Sequence, residues 1–147
     1  MEIWREHYAA HCLDTTRPYP GIVEALAQLS GARAVVTNKP GPAARKLVEA
    51  LSLSSLFPVV VGGGDVPSRK PDPEACRLAL TRLPEVERVV FVGDSVVDAQ
   101  TAVNAGYAFV GVLWGMGTRE TLGAAGAKVF AERVDELPEA CRRARLL

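Results

Sequence analysis

The densest chemistry in the chain is Val89-Val90-Phe91-Val92-Gly93-Asp94-Ser95-Val96-Val97-Asp98, an apolar run with one carboxylate at its tip and a second four residues later. Where a strand turns into a helix, both carboxylates fall on one side of the loop and first helical turn. Two such charges repel unless a cation neutralises them, and hard oxygen ligands suit Mg²⁺, which keeps its waters and binds substrate phosphate beside it. The competing structural reading has Asp94 or Ser95 capping the helix and Asp98 facing water. Thr37-Asn38-Lys39-Pro40 sets a hydroxyl and an amide after another apolar run. They suit a phosphate oxygen, and equally a helix cap. Arg69-Lys70-Pro71-Asp72-Pro73 puts a cation just ahead of a helix with proline in its first turn. An exposed lysine is ordinarily solvated, but one held among prolines can be aimed at a phosphoryl group or its attacking carboxylate.

Other patterns argue against themselves. Val61-Gly62-Gly63-Gly64-Asp65 resembles a dinucleotide-binding glycine loop only in composition, because the G-x-G-x-x-G spacing is missing and no helix follows directly. A flexible loop at the sheet edge is the simpler reading. His7 and His11, with Cys12 and Asp14 nearby, suggest zinc at helical spacing, yet no Glu follows His7 and no further ligand cluster appears.

These groups need a scaffold that brings loops together. Short Val- and Phe-rich runs recur, each followed by Gly, Asn or Asp and a segment of helical period, which is the signature of strands and helices alternating around a parallel sheet. Strands are predicted at Ala34–Thr37, Val59–Gly62, Val89–Gly93, Ala108–Leu113 and Lys128–Phe130. Helices are predicted at Ile3–Cys12, Gly21–Leu29, Pro42–Leu51, Pro73–Leu83, Val96–Ala105, Arg119–Ala125 and Glu136–Ala144. In such an α/β sheet, functional groups gather beyond the carboxyl ends of the strands, which is where Thr37, Lys70 and Asp94 are expected.

With 147 residues the chain fits one core, and 48% hydrophobic against 23% charged residues excludes a disordered or fibrous class. Seventeen basic and 17 acidic side chains cancel, so no global field favours nucleic acid or an anionic membrane and any phosphate affinity is local. Cys12, Cys76 and Cys141 form neither a disulfide framework nor a C-x-x-C pair, and the charged N-terminus does not read as a signal segment; a cytoplasmic protein is expected. The charge-free stretch from Ala99 to Thr118 reads as helix, turn and buried strand rather than a membrane span, since it contains Gln100, Thr101, Asn104 and several glycines.

Taken in order, Val35-Val36-Thr37-Asn38-Lys39, Arg69-Lys70-Pro71-Asp72-Pro73 and Phe91–Asp98 resemble the second, third and fourth motifs of the haloacid dehalogenase superfamily, in a branch similar to phosphoglycolate phosphatase. Tyr8, His11-Cys12, Pro18-Tyr19-Pro20-Gly21 and Gly63-Gly64-Asp65 add to the likeness. The resemblance implies a Rossmannoid parallel sheet with helices on both faces. It also implies a Mg²⁺-dependent phosphomonoester hydrolase that passes a phosphoryl group to an aspartate nucleophile and then to water. Carried over residue by residue, Thr37 and the Asn38 backbone hold phosphate, Lys70 ties nucleophile and phosphate together, and Asp94 and Asp98 hold Mg²⁺. The resemblance also implies a small phosphorylated metabolite as substrate, 2-phosphoglycolate or similar.

The family's nucleophile and general acid belong to a first motif, D-x-D-G-T. The six aspartates, Asp14, Asp65, Asp72, Asp94, Asp98 and Asp135, contain no such pair. The expectation is therefore that residues 1–17 are a remnant of a helical cap and connector, that 18–147 form the core without its central strand, and that the chain alone is inactive. The implied strand order is third, second, first, fourth, fifth, leaving a slot between Ala34–Thr37 and Val89–Gly93. An empty slot would hold its neighbours nearly ~10 Å apart, unless they close up and pair. Alternatives are a non-catalytic phosphate- and Mg²⁺-binding module, or one half of a split enzyme whose strand comes from another chain.

Overall fold

The computed structural model describes residues 16–147. The predicted helix Ile3–Cys12 and the candidate zinc residues His7, His11, Cys12 and Asp14 lie outside them. The order is α1 (Ile22–Ala27), β1 (Ala34–Pro40), α2 (Gly41–Ala50), β2 (Val59–Gly63), α3 (Glu74–Thr81), β3 (Val90–Gly93), α4 (Val96–Ala105), β4 (Ala108–Val112), α5 (Arg119–Ala124), β5 (Val129–Ala131), a 3₁₀ turn (Val134–Glu136) and α6 (Leu137–Ala144). All strand pairs are parallel, as alternating strands and helices require.

The strands form two sheets, β1-β2 and β3-β4-β5. Among the described residues, β1 pairs only with β2 and β3 only with β4, so each has one edge without a partner strand. The two do not close up against each other. Their edges are exposed accordingly: Val92, in the middle of β3, is 40% exposed, whereas Val61 in β2 and Val110 in β4 are fully buried.

Alternation along β4 divides the larger core. Val110 and Val112 pack with Val129 and Ala131 of β5 and with Leu137, Ala140, Cys141 and Ala144, the apolar face of α6. Phe109 joins Ala99 and Ala102 of α4 and Leu122 of α5. Helices thus cover both faces of this sheet. In the smaller sheet, Val59 and Val61 pack against Ala75 and Ala79 of α3.

Two predicted boundaries change for identifiable reasons. β1 does not stop at Thr37 but runs to Pro40, with an irregular register between Val36 and Pro40. The glycines of β2 allow this: a Cβ on Gly63 would lie 2.6 Å from the Asn38 carbonyl oxygen, and one on Gly62 would lie 2.7 Å from that of Lys39. The triple glycine is therefore a site of close strand approach as well as a turn, and Asp65 closes it by accepting from the Gly62 amide and pairing with Arg45 at 2.7 Å. The last helix begins one residue later than predicted, at Leu137 after the 3₁₀ turn, because Pro138 sits in the first turn of α6 and favours a helix start there.

Candidate functional site

Asp98 is only 7% exposed, yet its carboxylate is fully engaged. Oδ1 accepts from the Lys70 ammonium at 2.6 Å, and Oδ2 accepts from the Ser95 hydroxyl at 2.7 Å and from the Ser95 and Asp94 amides at 3.2 and 3.3 Å. The Ser95 hydroxyl in turn accepts from the Asp98 amide, forming a capping box at the start of α4. The capping alternative thus describes part of the truth. Ser95 is the cap, but Asp98 turns inward rather than toward water, and the same carboxylate serves cap and lysine. A buried carboxylate needs this full set of donors, since an unpaired one would be strongly disfavoured. Gly93 makes the arrangement possible, because any side chain there would overlap that of Asp98.

Lys70 is equally fixed. Its side chain is 12% exposed and its ammonium also lies 5.7 Å from the centre of the Phe91 ring, a cation–π distance. The backbone of Lys70 is held from β1: the Asn38 side-chain amide donates to the Lys70 carbonyl at 3.2 Å and accepts from its amide at 2.9 Å. Asn104, at the end of α4, donates to the Pro71 carbonyl at 2.9 Å. The loop between β2 and α3 is thereby tied to β1 on one side and to α4 on the other. Cys76, buried in α3, senses this charge pair: burial pushes its thiol pKa up, Lys70 draws it down and Asp98 raises it.

Asp94 differs from Asp98. Its Oδ2 accepts from the Met116 amide at 3.0 Å, whereas Oδ1 takes no hydrogen bond from the described residues. Among those residues no three His, Cys, Asp or Glu side chains gather into a metal cage. Mg²⁺ does not require one, because one or two carboxylates with water and substrate phosphate suffice. A half-buried carboxylate with one open oxygen, next to a second carboxylate, fits that kind of site.

Asn38, Lys70, Asp98 and Asp94 thus form one continuous chain of hydrogen bonds at the carboxyl ends of the strands. Thr37 lies next to Asn38 in the irregular part of β1, where its hydroxyl accepts from the Lys39 amide at 3.1 Å. The sequence offers the Asn38 amide to a phosphate oxygen, whereas in the structure that side chain grips the main chain of Lys70. The sequence signals missed Gly93, Asn104 and the Gly115-Met116-Gly117 turn. Only Gly93, inside the apolar run, carried a hint.

Comparison with known proteins decides the lineage of this site. A model of haloacid dehalogenase-like hydrolases matches residues 2–106, which include Thr37, Asn38, Lys70, Asp94 and Asp98. The chain belongs to the haloacid dehalogenase-like hydrolases. Within this family it is 45% identical over 107 residues to a phosphoglycolate phosphatase of Cereibacter sphaeroides, covering 71% of this chain and 49% of the relative. It is 38% identical over 138 residues to a phosphoglycolate phosphatase of Caulobacter vibrioides, covering 91% and 58%. A crystal structure from Lactobacillus delbrueckii subsp. bulgaricus, of a protein assigned as a phosphoglycolate phosphatase, superposes with a TM-score of 0.84 at 33% identity, over 95% of this chain and 59% of that one. The haloacid dehalogenase-like chain spans about half the length of the curated relatives it matches. No helix among its described residues is long and apolar enough to cross a membrane.

Proposed function

We propose that residues 18–147 form the phosphate- and Mg²⁺-holding part of a phosphomonoester hydrolase acting on a small phosphorylated metabolite, 2-phosphoglycolate or a similar one. The observation that carries this reading is the buried Lys70–Asp98 pair beside the open oxygen of Asp94, at the end of the sheets where β1 and β3 both present unpaired edges. The relatives named for phosphoglycolate phosphatase support the substrate class. Lys70 offers a positive charge to a phosphoryl oxygen, while the Thr37 hydroxyl and Asn38 amide offer neutral donors. Asp94, with Asp98 behind it, would hold Mg²⁺, whose chemistry there is to neutralise the carboxylates and the phosphate. The attacking carboxylate comes from an apolar strand seated between β1 and β3, which also pairs their open edges. Those open edges equally favour a second reading, a split enzyme in which another chain supplies the strand.

The test is hydrolysis of p-nitrophenyl phosphate and 2-phosphoglycolate by residues 1–147 and by the same chain extended upstream with an apolar strand ending in D-x-D-G-T. The expected outcome is Mg²⁺-dependent turnover by the extended chain alone, abolished by Asp94→Asn. Turnover by residues 1–147 alone that also disappears in Asp94→Asn would mean that another residue is the nucleophile.

A further inference from the structure

The turn after β4 lies directly against Asp94. The Gly117 amide donates to the Asp94 carbonyl at 2.7 Å, and the Met116 amide donates to its Oδ2 at 3.0 Å. A Cβ on Gly117 would lie 2.6 Å from the Asp94 carbonyl oxygen and 2.8 Å from Leu122 Cδ2. At Gly115 a Cβ would overlap the Asp94 carboxylate itself. Neither glycine has a positive φ, so nearness to Asp94, and not the backbone conformation, excludes a side chain at these places. Met116 between them is 83% exposed, so its side chain contributes little packing while its amide is committed to the carboxylate.

We propose that Gly115-Met116-Gly117 is the positioning element for Asp94: the Met116 amide occupies Oδ2, the two glycines let the backbone come within reach, and Oδ1 alone is presented to a ligand. An amide aimed at one carboxylate oxygen fixes the side-chain rotamer, as groups behind a metal ligand do, and their loss typically weakens metal affinity about 10–100-fold. The inference deepens the proposed Mg²⁺ site and rests on that reading, but the contact between the turn and Asp94 can be tested without metal.

Mn²⁺ binding to residues 1–147, followed by the electron paramagnetic resonance signal of the free ion, separates the possibilities. Asp94→Asn and Gly115→Ala are each expected to weaken binding about tenfold or more, and the double variant no further, because both disable one ligand. Met116→Ala keeps the amide and is expected to bind within about twofold of the unsubstituted chain. Weakening by Asp94→Asn without weakening by Gly115→Ala would overturn the inference, as would an equal loss in Met116→Ala. Binding indifferent to Asp94→Asn would overturn the metal reading instead. The turn is then judged on the metal-free protein, where hydrogen exchange at the Met116 amide should quicken by about tenfold or more in Asp94→Ala, the worth of a hydrogen bond to a charged group. An unchanged exchange rate there would overturn the inference. This measurement also decides the matter if Gly115→Ala fails to fold.

Discussion

Strands β2 and β4 contribute fully buried apolar residues, whereas β1 and β3 pack only partly buried ones and carry polar ties at their ends. Val59 and Val61 in β2 and Phe109, Val110 and Val112 in β4 are buried, whereas β1 and β3 contain no fully buried residue. Besides its ladder with one neighbour, each of the latter pair is linked near the site by the chain of bonds from Asn38 through Lys70 to Asp98 and Ser95. Apolar packing is broad and tolerant, while hydrogen bonds are directional, so the strands that present chemical groups are the ones whose geometry is fixed by direction.

The sharpest way to break this comparison is Asp98→Ala. It leaves the Lys70 ammonium buried without a partner and removes half of the capping box, and it should lower unfolding free energy by about 3–5 kcal/mol in urea titrations. A loss under about 1 kcal/mol would show that the polar chain does not hold β3. Next, two apolar truncations contrast the regions. Leu122→Ala, at a fully buried position packed around β4, should cost about 2–5 kcal/mol, and Val92→Ala in β3 only about 0.5 kcal/mol. Equal costs would erase the distinction.

A further effect emerges only at alkaline pH. Burial raises the Cys141 thiol from its ordinary value near 9 to about 11. The folded state therefore keeps a proton that the unfolded chain releases. The stability this contributes is complete below about pH 9 and declines through about pH 11, by at most about 1.4 kcal/mol per pH unit. In Cys141→Ala the decline over this window should flatten. A decline as steep as before would place its origin elsewhere, in Cys76 or Tyr107, whose values burial also raises.

The order of the elements was legible because hydrophobic period and turn residues act locally. Val96–Ala105 was placed to the residue, since Ser95 caps one end and Gly106, at φ 72°, ends the other. Boundaries that depend on distant partners were not legible. The extension of β1 to Pro40 depends on glycines more than 20 residues later in the chain. The site was legible as residue types at strand ends, but the grip of Asn38 on Lys70 and of Met116 on Asp94 spans 32 and 22 residues, and no local pattern encodes it.

The Asn38 grip has one further consequence. Its amide reads the main chain of residue 70 and ignores the side chain, as a tool holder grips the shank and not the bit. Together with the Asn104 bond to the Pro71 carbonyl, this leaves the loop anchored whatever side chain residue 70 carries. The side chain at position 70 thus matters little to the anchorage of the loop but much to Asp98, whose buried carboxylate would lose its cation. A methionine placed there would keep the main-chain grip while taking the charge partner from Asp98, so such a protein would separate the anchoring of the loop from the pairing of the charges.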